Sequence, residues 1–280
     1  MSSGEETVRA WRDSAPYWEK HAERIAAIFK PITEGLATAA GLRPGQRVLD
    51  VAGGSGEPSL TVAPLVGAAG LAVYSDVADG MVAGARRRAA ARGETRLRFV
   101  QCAGQALPFV DRAFDAVVCR LGVMFFPDPG RGVSEMLRVS RGVVAVAVWG
   151  AKERNPYFAV PSEVVSRYAG SPPDPPGAPN AWRFGEPGLL AGIFAGAGAR
   201  EVREERLGFD IVAPLSFEEF WRMRVELSDT LRETTARIGR DATRRVASEV
   251  RDAFATYFEG GTMRIPAEVL VVSGSPNGRE

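Results

Sequence analysis

Short, mainly apolar runs recur along this chain, each bounded by glycine, proline or charge. They cover residues 48–51, 71–75, 99–102, 114–119 and 143–149. A run without polar alternation predicts a strand covered on both faces, as in a parallel sheet. Helical patterns separate them: one follows Gly56, one follows Asp76, and one occupies 130–139. Further strands are expected over 201–212 and 265–272. Strand–helix alternation of this kind predicts an α/β fold, a mostly parallel sheet with helices on both faces.

The flanks read differently. Residues 7–40 predict one or two helices, with Trp11, Ser14, Trp18, Ile25 and Phe29 on one face. That face serves either plain packing or a lid over a site. Tyr157 and Phe158 open a helix to Tyr168, and the prolines over 171–179 exclude helix and predict an extended loop near a pocket mouth. A helix is expected over 187–197. Residues 216–258 read as helical, with Ser216 and Glu219 spaced as a capping box and Phe217, Phe220, Trp221, Met223 and Leu227 giving an apolar face. The expected division is a lid over 1–40, a core over 41–150, and completion of the sheet over 151–280 with a helical cap inserted at about 213–262.

The first strand ends in Asp50-Val51-Ala52-Gly53-Gly54-Ser55-Gly56-Glu57-Pro58. Glycines at a strand-to-helix turn expose bare backbone at the carboxyl edge of the sheet, where open α/β folds bind ligands. A phosphate is disfavoured. Ser59 occupies the third glycine position of the dinucleotide fingerprint, and no lysine follows as in a P-loop. Glu57 at the helix mouth, with Asp50 behind it, would repel a pyrophosphate. An acidic glycine loop suits a nucleoside ligand that carries positive charge and no phosphate.

The loop resembles the first motif of the class I S-adenosylmethionine-dependent methyltransferases, D/E-x-G/A-x-G-x-G. Two further segments extend the resemblance. Asp76 lies 20 residues beyond Gly56 (76 − 56), followed by Val77-Ala78-Asp79-Gly80-Met81, similar to D-x-S-x-x-M. Asp76 is read as the acid that reaches a ribose hydroxyl, with a helix N-cap as the alternative. Ala103-Gly104-Gln105-Ala106-Leu107-Pro108-Phe109, with Phe114-Asp115-Ala116-Val117, resembles the G-D-A-x-x-L-P-F … F-D-x-V run of small-molecule methyltransferases such as the ubiquinone/menaquinone group. Ala103 stands where that family usually carries an adenine-binding Asp, so backbone, Gln105 or water would substitute.

The resemblance implies a Rossmann-like seven-stranded sheet whose last strand runs antiparallel at the edge. It also implies S-adenosylmethionine as cofactor, S-adenosylhomocysteine as product, and no metal. The cofactor residues it implies are Asp50, Ala52, Gly53, Gly54, Gly56, Asp76, Val77, Met81, Ala103, Gly104, Gln105, Arg120 and Leu121. Arg120, at the end of the fourth strand, is placed to face the crevice.

Composition narrows the acceptor. Net charge is +1 among 280 residues, which gives no basic face for nucleic acid. Arg86, Arg87, Arg88 and Arg92 read as a solvated helix face. Two cysteines exclude a disulfide framework, a zinc spacing and arsenic chemistry, and both read as inert. No apolar run reaches a membrane span and no leader core is visible, so a cytoplasmic protein is expected. Asn155-Pro156-Tyr157 matches an amino-group DNA methyltransferase motif, but after the fifth strand instead of the fourth, and is read as coincidence. No magnesium cluster and no Tyr-x-x-x-Lys pair is present, against a catechol methyltransferase and a nicotinamide oxidoreductase.

The expected reaction is in-line methyl transfer to a small, largely apolar acceptor, in which positioning supplies much of the acceleration. The alternative is a fold that binds the cofactor without methylating. Catalytic candidates are His21, the chain's one histidine, and Tyr17. Against His21 stands its reading as a surface residue beside Glu19, Lys20 and Glu23. Substrate candidates are Trp11, Tyr17, Trp18, Met124, Tyr157 and Trp221. Oligomeric state is left open, with a homodimer as one option.

Overall fold

In a computed structural model describing residues 3–169 and 177–277, the five apolar runs become β1 (Arg47–Val51), β2 (Leu71–Asp76), β3 (Leu97–Gln101), β4 (Phe114–Arg120) and β5 (Ser140–Trp149). All four pairings among them are parallel. Their side chains are the core: Leu49, Val117, Val144 and Val148 are all 0% exposed. Burying each such side chain contributes about 1.5–3 kcal/mol, which is why the runs need no polar face.

Two later strands, β6 (Arg200–Ala213) and β8 (Thr262–Ser275), join the sheet, and a short β7 (Phe258–Glu259) pairs with β8. The order is β3-β2-β1-β4-β5-β8-β6. β8 is antiparallel to β5, as the resemblance implies. It is not the edge strand: β8 lies between β5 and β6, and β6 takes the edge. Burial follows position, since Val269, Leu270, Val271 and Val272 are at most 5% exposed, whereas β6 carries alternating charge.

The helices are α1 (Ser3–Lys20), α2 (Ala22–Ile28), α3 (Lys30–Ala39), α4 (Ser59–Val66), α5 (Asp79–Ala91), α6 (Pro129–Val139), α7 (Pro156–Ala169), α8 (Leu189–Gly196), α9 (Phe217–Leu227), α10 (Asp229–Arg237) and α11 (Arg240–Ala253). The N-terminal segment is three helices, not one or two. Pro31, lacking an N–H, suits only the first turn of α3, so the chain breaks at Phe29. Residues 216–258 likewise break at Ser228, which caps α10 through Leu231 N, and at Gly239, and Phe258 already belongs to β7. The Ser216–Glu219 capping box is formed. Asp128 caps α6 by accepting from Arg131 N, and α6 passes straight into β5 at Ser140.

The chain forms two units. The first comprises Met1–Gly150, Pro179–Leu207 and Val269–Glu280, and the second Ala151–Ala178 and Gly208–Glu268. Most of the proline loop expected over 171–179 lies outside the described residues. No helix among the described residues is long and apolar enough to cross a membrane.

Candidate functional site

The register aligns the ends of the central strands: Val51 pairs with Ser75, and Asp50 with Tyr74 and Val118. Asp50 is 2% exposed. Its Oδ2 accepts from Ser59 N at 3.1 Å and Ser59 Oγ at 2.6 Å, holding the start of α4. Its Oδ1 is buried without a partner. Burial pushes this carboxyl up to about 7, against the Ser59 hydrogen bonds and the Arg120 charge. A buried polar atom left unpaired costs free energy unless a ligand satisfies it.

The glycine loop is shaped from behind. The Tyr74 hydroxyl donates to Gly54 O at 2.6 Å. A Cβ on Gly53 would lie 2.5 Å from the Tyr74 ring, so the loop backbone rests directly on that ring. Gly54 adopts φ +52°, and a Cβ there would meet only open space. That position needs glycine for its backbone, and its free side is where a ligand fits. Ala52 and Leu121, at the ends of β1 and β4, also have positive φ, 59° and 60°. Left-handed non-glycine residues concentrate at functional sites.

Asp76 fastens the loop through both carboxylate oxygens. Its Oδ2 accepts from Gly54 N at 3.0 Å and its Oδ1 from Ala78 N at 2.9 Å, so it pins the loop and the entry to α5 together. It is two residues ahead of the N-cap position, Ala78. Burial raises its carboxyl to about 6, against those amides. Val77 is half-buried and Met81 buried beside it.

The third segment provides a cradle. A Cβ on Gly104 would approach the Phe126 ring to 2.4 Å, so chain and ring touch there. Ala103 is half-buried and carries no acceptor. Gln105 O accepts from Arg131 Nε. Arg120 donates to Thr33 Oγ1 of α3 at 2.9 Å. Burial lowers its pKa, and the charges of Glu57 and Asp50 oppose that.

Three expectations fail here. The arginines of α5 are not simply a solvated face: Arg88 is 8% exposed, bonds Glu23 through Nε and Nη2, and donates from Nη1 to Ser55 O in the glycine loop. Glu57 does not present a bare charge at the helix mouth, because it is 6% exposed with Arg92 at 3.5 Å and Arg88 at 4.0 Å. His21 is 9% exposed, not a surface residue, and stands at the N-cap of α2 where the chain turns out of α1. Glu19 of α1 and Glu23 of α2 pair with Arg87, Arg88 and Arg92, so these helices return over α5.

That return gives α1 a lid-like place. Ala15 packs with Ala78 and Met81, and Trp11 and Trp18 flank them. Trp11 also meets Phe125, just after β4, at 5.1 Å edge-on. The helix therefore reaches from the end of β2 to the end of β4. Trp18 Nε1 is buried with no acceptor. Tyr17 is half-buried, and Met124 is only 1% exposed, inside the core. Of the remaining substrate candidates, Tyr157 is buried and Trp221 half-buried, both in the second unit.

An unpaired acid, an unpaired donor, a glycine backbone with one open side and an aromatic-faced helix fit a nucleoside-type cation. Residues 26–166, half of the chain, match the ubiE/COQ5 methyltransferase family. The chain belongs to that family. An uncharacterised protein of Mycobacterium tuberculosis is 40% identical over 130 residues, 46% of this chain and 45% of that one. The ubiquinone/menaquinone biosynthesis C-methyltransferase UbiE of Stenotrophomonas maltophilia is 42% identical over 99 residues, 35% of this chain and 39% of that one. The chain thus spans less than half the length of these curated relatives. A solved phosphoethanolamine N-methyltransferase 2 of Haemonchus contortus, in complex with S-adenosyl-L-methionine, superposes with a TM-score of 0.58 at 16% identity, over 95% of this chain and 60% of that one.

Sequence reasoning missed Tyr74, Glu23 and Arg88. The signal for Arg88 was present: Met81, Ala85 and Arg88 share one helical stripe, so an arginine stood in an apolar row. Asn155, read as a coincidental motif match, has a structural role. Its Nδ2 donates to Ala151 O and Glu268 O, and its Oδ1 accepts from Glu268 N, all near 3.0 Å. Among the described residues, no group of three His, Cys, Asp or Glu is placed to hold a metal.

Proposed function

We propose that this chain transfers a methyl group from S-adenosylmethionine to a small, largely apolar acceptor by in-line displacement. The observation that carries the reading is the unpartnered Oδ1 of Asp50, buried beside a glycine backbone with one open side. When bound, the cofactor supplies a methyl group activated by a sulfonium. Asp50 and the backbone of 52–56 would hold its cationic amino-acid end, and Asp76 its ribose. Val77, Met81 and 103–105 would line the adenine, while Arg120 and Leu121 flank the end of β4. The aromatic face of α1 would exclude water and orient the acceptor, which suffices for displacement at carbon.

Where the acceptor atom carries a proton, Tyr17 and His21 are the groups of the lid offered to take it. The two free thiols, Cys102 and Cys119, are pushed up by burial to about 11 and about 12 and take no part. They fit a reducing compartment, and a cytoplasmic reaction is our reading.

A second reading keeps the cofactor and drops the transfer, and Ala103, which lacks an adenine acceptor, favours it. Calorimetric titration with S-adenosylmethionine, S-adenosylhomocysteine and NAD decides the first point. Binding of the adenosyl ligands alone supports the proposal, and no binding by folded, ligand-free protein overturns it. Consumption of S-adenosylmethionine during an acceptor screen separates the two readings.

A further inference from the structure

The second unit buries a cation with no counter-ion among the described residues. Arg224 of α9 is 5% exposed, and its Nε has no hydrogen-bond partner. Its surroundings are rings. The guanidinium carbon stands 4.9 Å from the centre of Tyr157 and 4.5 Å from that of Phe158. Tyr157 packs against Phe158 at 4.7 Å and Phe220 at 5.4 Å. The Tyr157 hydroxyl is its hydrogen-bonding neighbour and the one group that offsets its burial.

Acids of the same unit are engaged elsewhere. Glu249 pairs with Arg167, Glu218 with Arg251, Asp210 with Arg264 and Glu163 with Lys152. A buried ion without a partner is costly, and cation–π contact offsets only part of that cost. If this position served packing alone, methionine would fill it better. The arrangement makes sense when an anion completes it. A guanidinium is planar and forked, and matches a carboxylate with two parallel hydrogen bonds. Tyr157 and Phe158 provide faces on which a flat ring can stack.

We propose that Arg224, with Tyr157 beside it, is a binding site for the carboxylate of a small aromatic acid.

The test is calorimetry with 2-naphthoate, its neutral isostere 2-naphthamide and 2-naphthol, on wild type, R224M, R224K and Y157F, with thermal melts of each apo protein. Wild type should prefer the acid over the amide by at least tenfold, with the phenol weaker than the acid. R224M should lose that preference while its apo melting temperature stays equal or rises. R224K should keep part of the preference, since it retains charge but not the fork. Equal binding of acid and amide by wild type, or an acid preference that survives R224M, overturns the site. A lowered melting temperature of R224M, in protein whose wild type shows no acid preference, marks Arg224 as structural.

Discussion

Arg88 and Arg224 are both buried arginines on helices, and their surroundings are opposite. Arg88, in the first unit, bonds Glu23 and Ser55 O and has Glu57 within 4.0 Å. Arg224, in the second, has aromatic rings and no carboxylate among the described residues. The first is a finished fastening, and it ties α2 and α5 to the glycine loop. The second is an open valence. Burial alone therefore says little about what a charge does; the identity of its neighbours decides between structure and recognition.

Breaking the fastening should give the largest effect. R88M removes one of the two arginines beside the buried Glu57 and releases the loop, at a cost of about 3 kcal/mol. A chain of this size should then melt roughly 10 °C lower, with a weaker hold on S-adenosylmethionine. An R88M protein as stable as wild type would dissolve the contrast with Arg224.

Asp50 sharpens the comparison, as an unpaired acid in the unit whose buried arginine is paired. D50N should weaken S-adenosylmethionine binding by about 2–4 kcal/mol, judged from lost buried charge partners. The pH dependence follows from the folded carboxyls of Asp50 and Asp76, raised to about 7 and about 6 from the usual 3.8. Folded protein then holds more protons than unfolded protein between about pH 4 and 7, so apo stability falls as pH rises through that window. A cationic ligand favours the carboxylate, so affinity should rise with pH up to about 7 and then level off, with a limiting slope near tenfold per pH unit. D50N should flatten both curves; melts and calorimetry at pH 5, 6, 7 and 8 read them.

N155A asks whether the two units carry separate duties. It leaves two carbonyls and one amide of the second unit without their partner, for about 2–3 kcal/mol. Denaturant melts should show that loss while the Kd for S-adenosylmethionine stays within twofold. A large loss of affinity would restore the DNA-methyltransferase reading of Asn155-Pro156-Tyr157.

The smallest expected effect is a gain. A103D returns an acceptor to the adenine position and should tighten cofactor binding by about 0.5–1.5 kcal/mol. No change in Kd would place the adenine elsewhere.

The central sheet was legible because its strands are covered on both faces. Mainly apolar runs satisfy that environment, so segments such as 114–119 mark themselves. The loop from Asp50 to Gly56 was legible for a related reason: a close backbone approach tolerates little besides glycine. The fate of charges was not legible. Glu57 read as a free acid and Arg88 as a solvated one, because the helices that bury them are distant in sequence. Residues 7–40 read as one or two helices because periodicity reports a face and not a bend. The place of β8 between β5 and β6 was equally hidden, since a strand's neighbours depend on the path of the chain and not on its own residues.

By itself, then, the sequence determined the class of sheet, the glycine loop and the acids at its edge, since local sterics and burial admit few residues there. Tertiary structure decided which of those acids kept a free valence. Asp50 and Asp76 are alike as residues, but Asp76 has backbone amides on both oxygens and Asp50 on one. It likewise decided that Glu23 would reach Arg88 and that Arg224 would meet only rings. Pairing of charges depends on distances between segments far apart in the chain, and folding alone sets those distances.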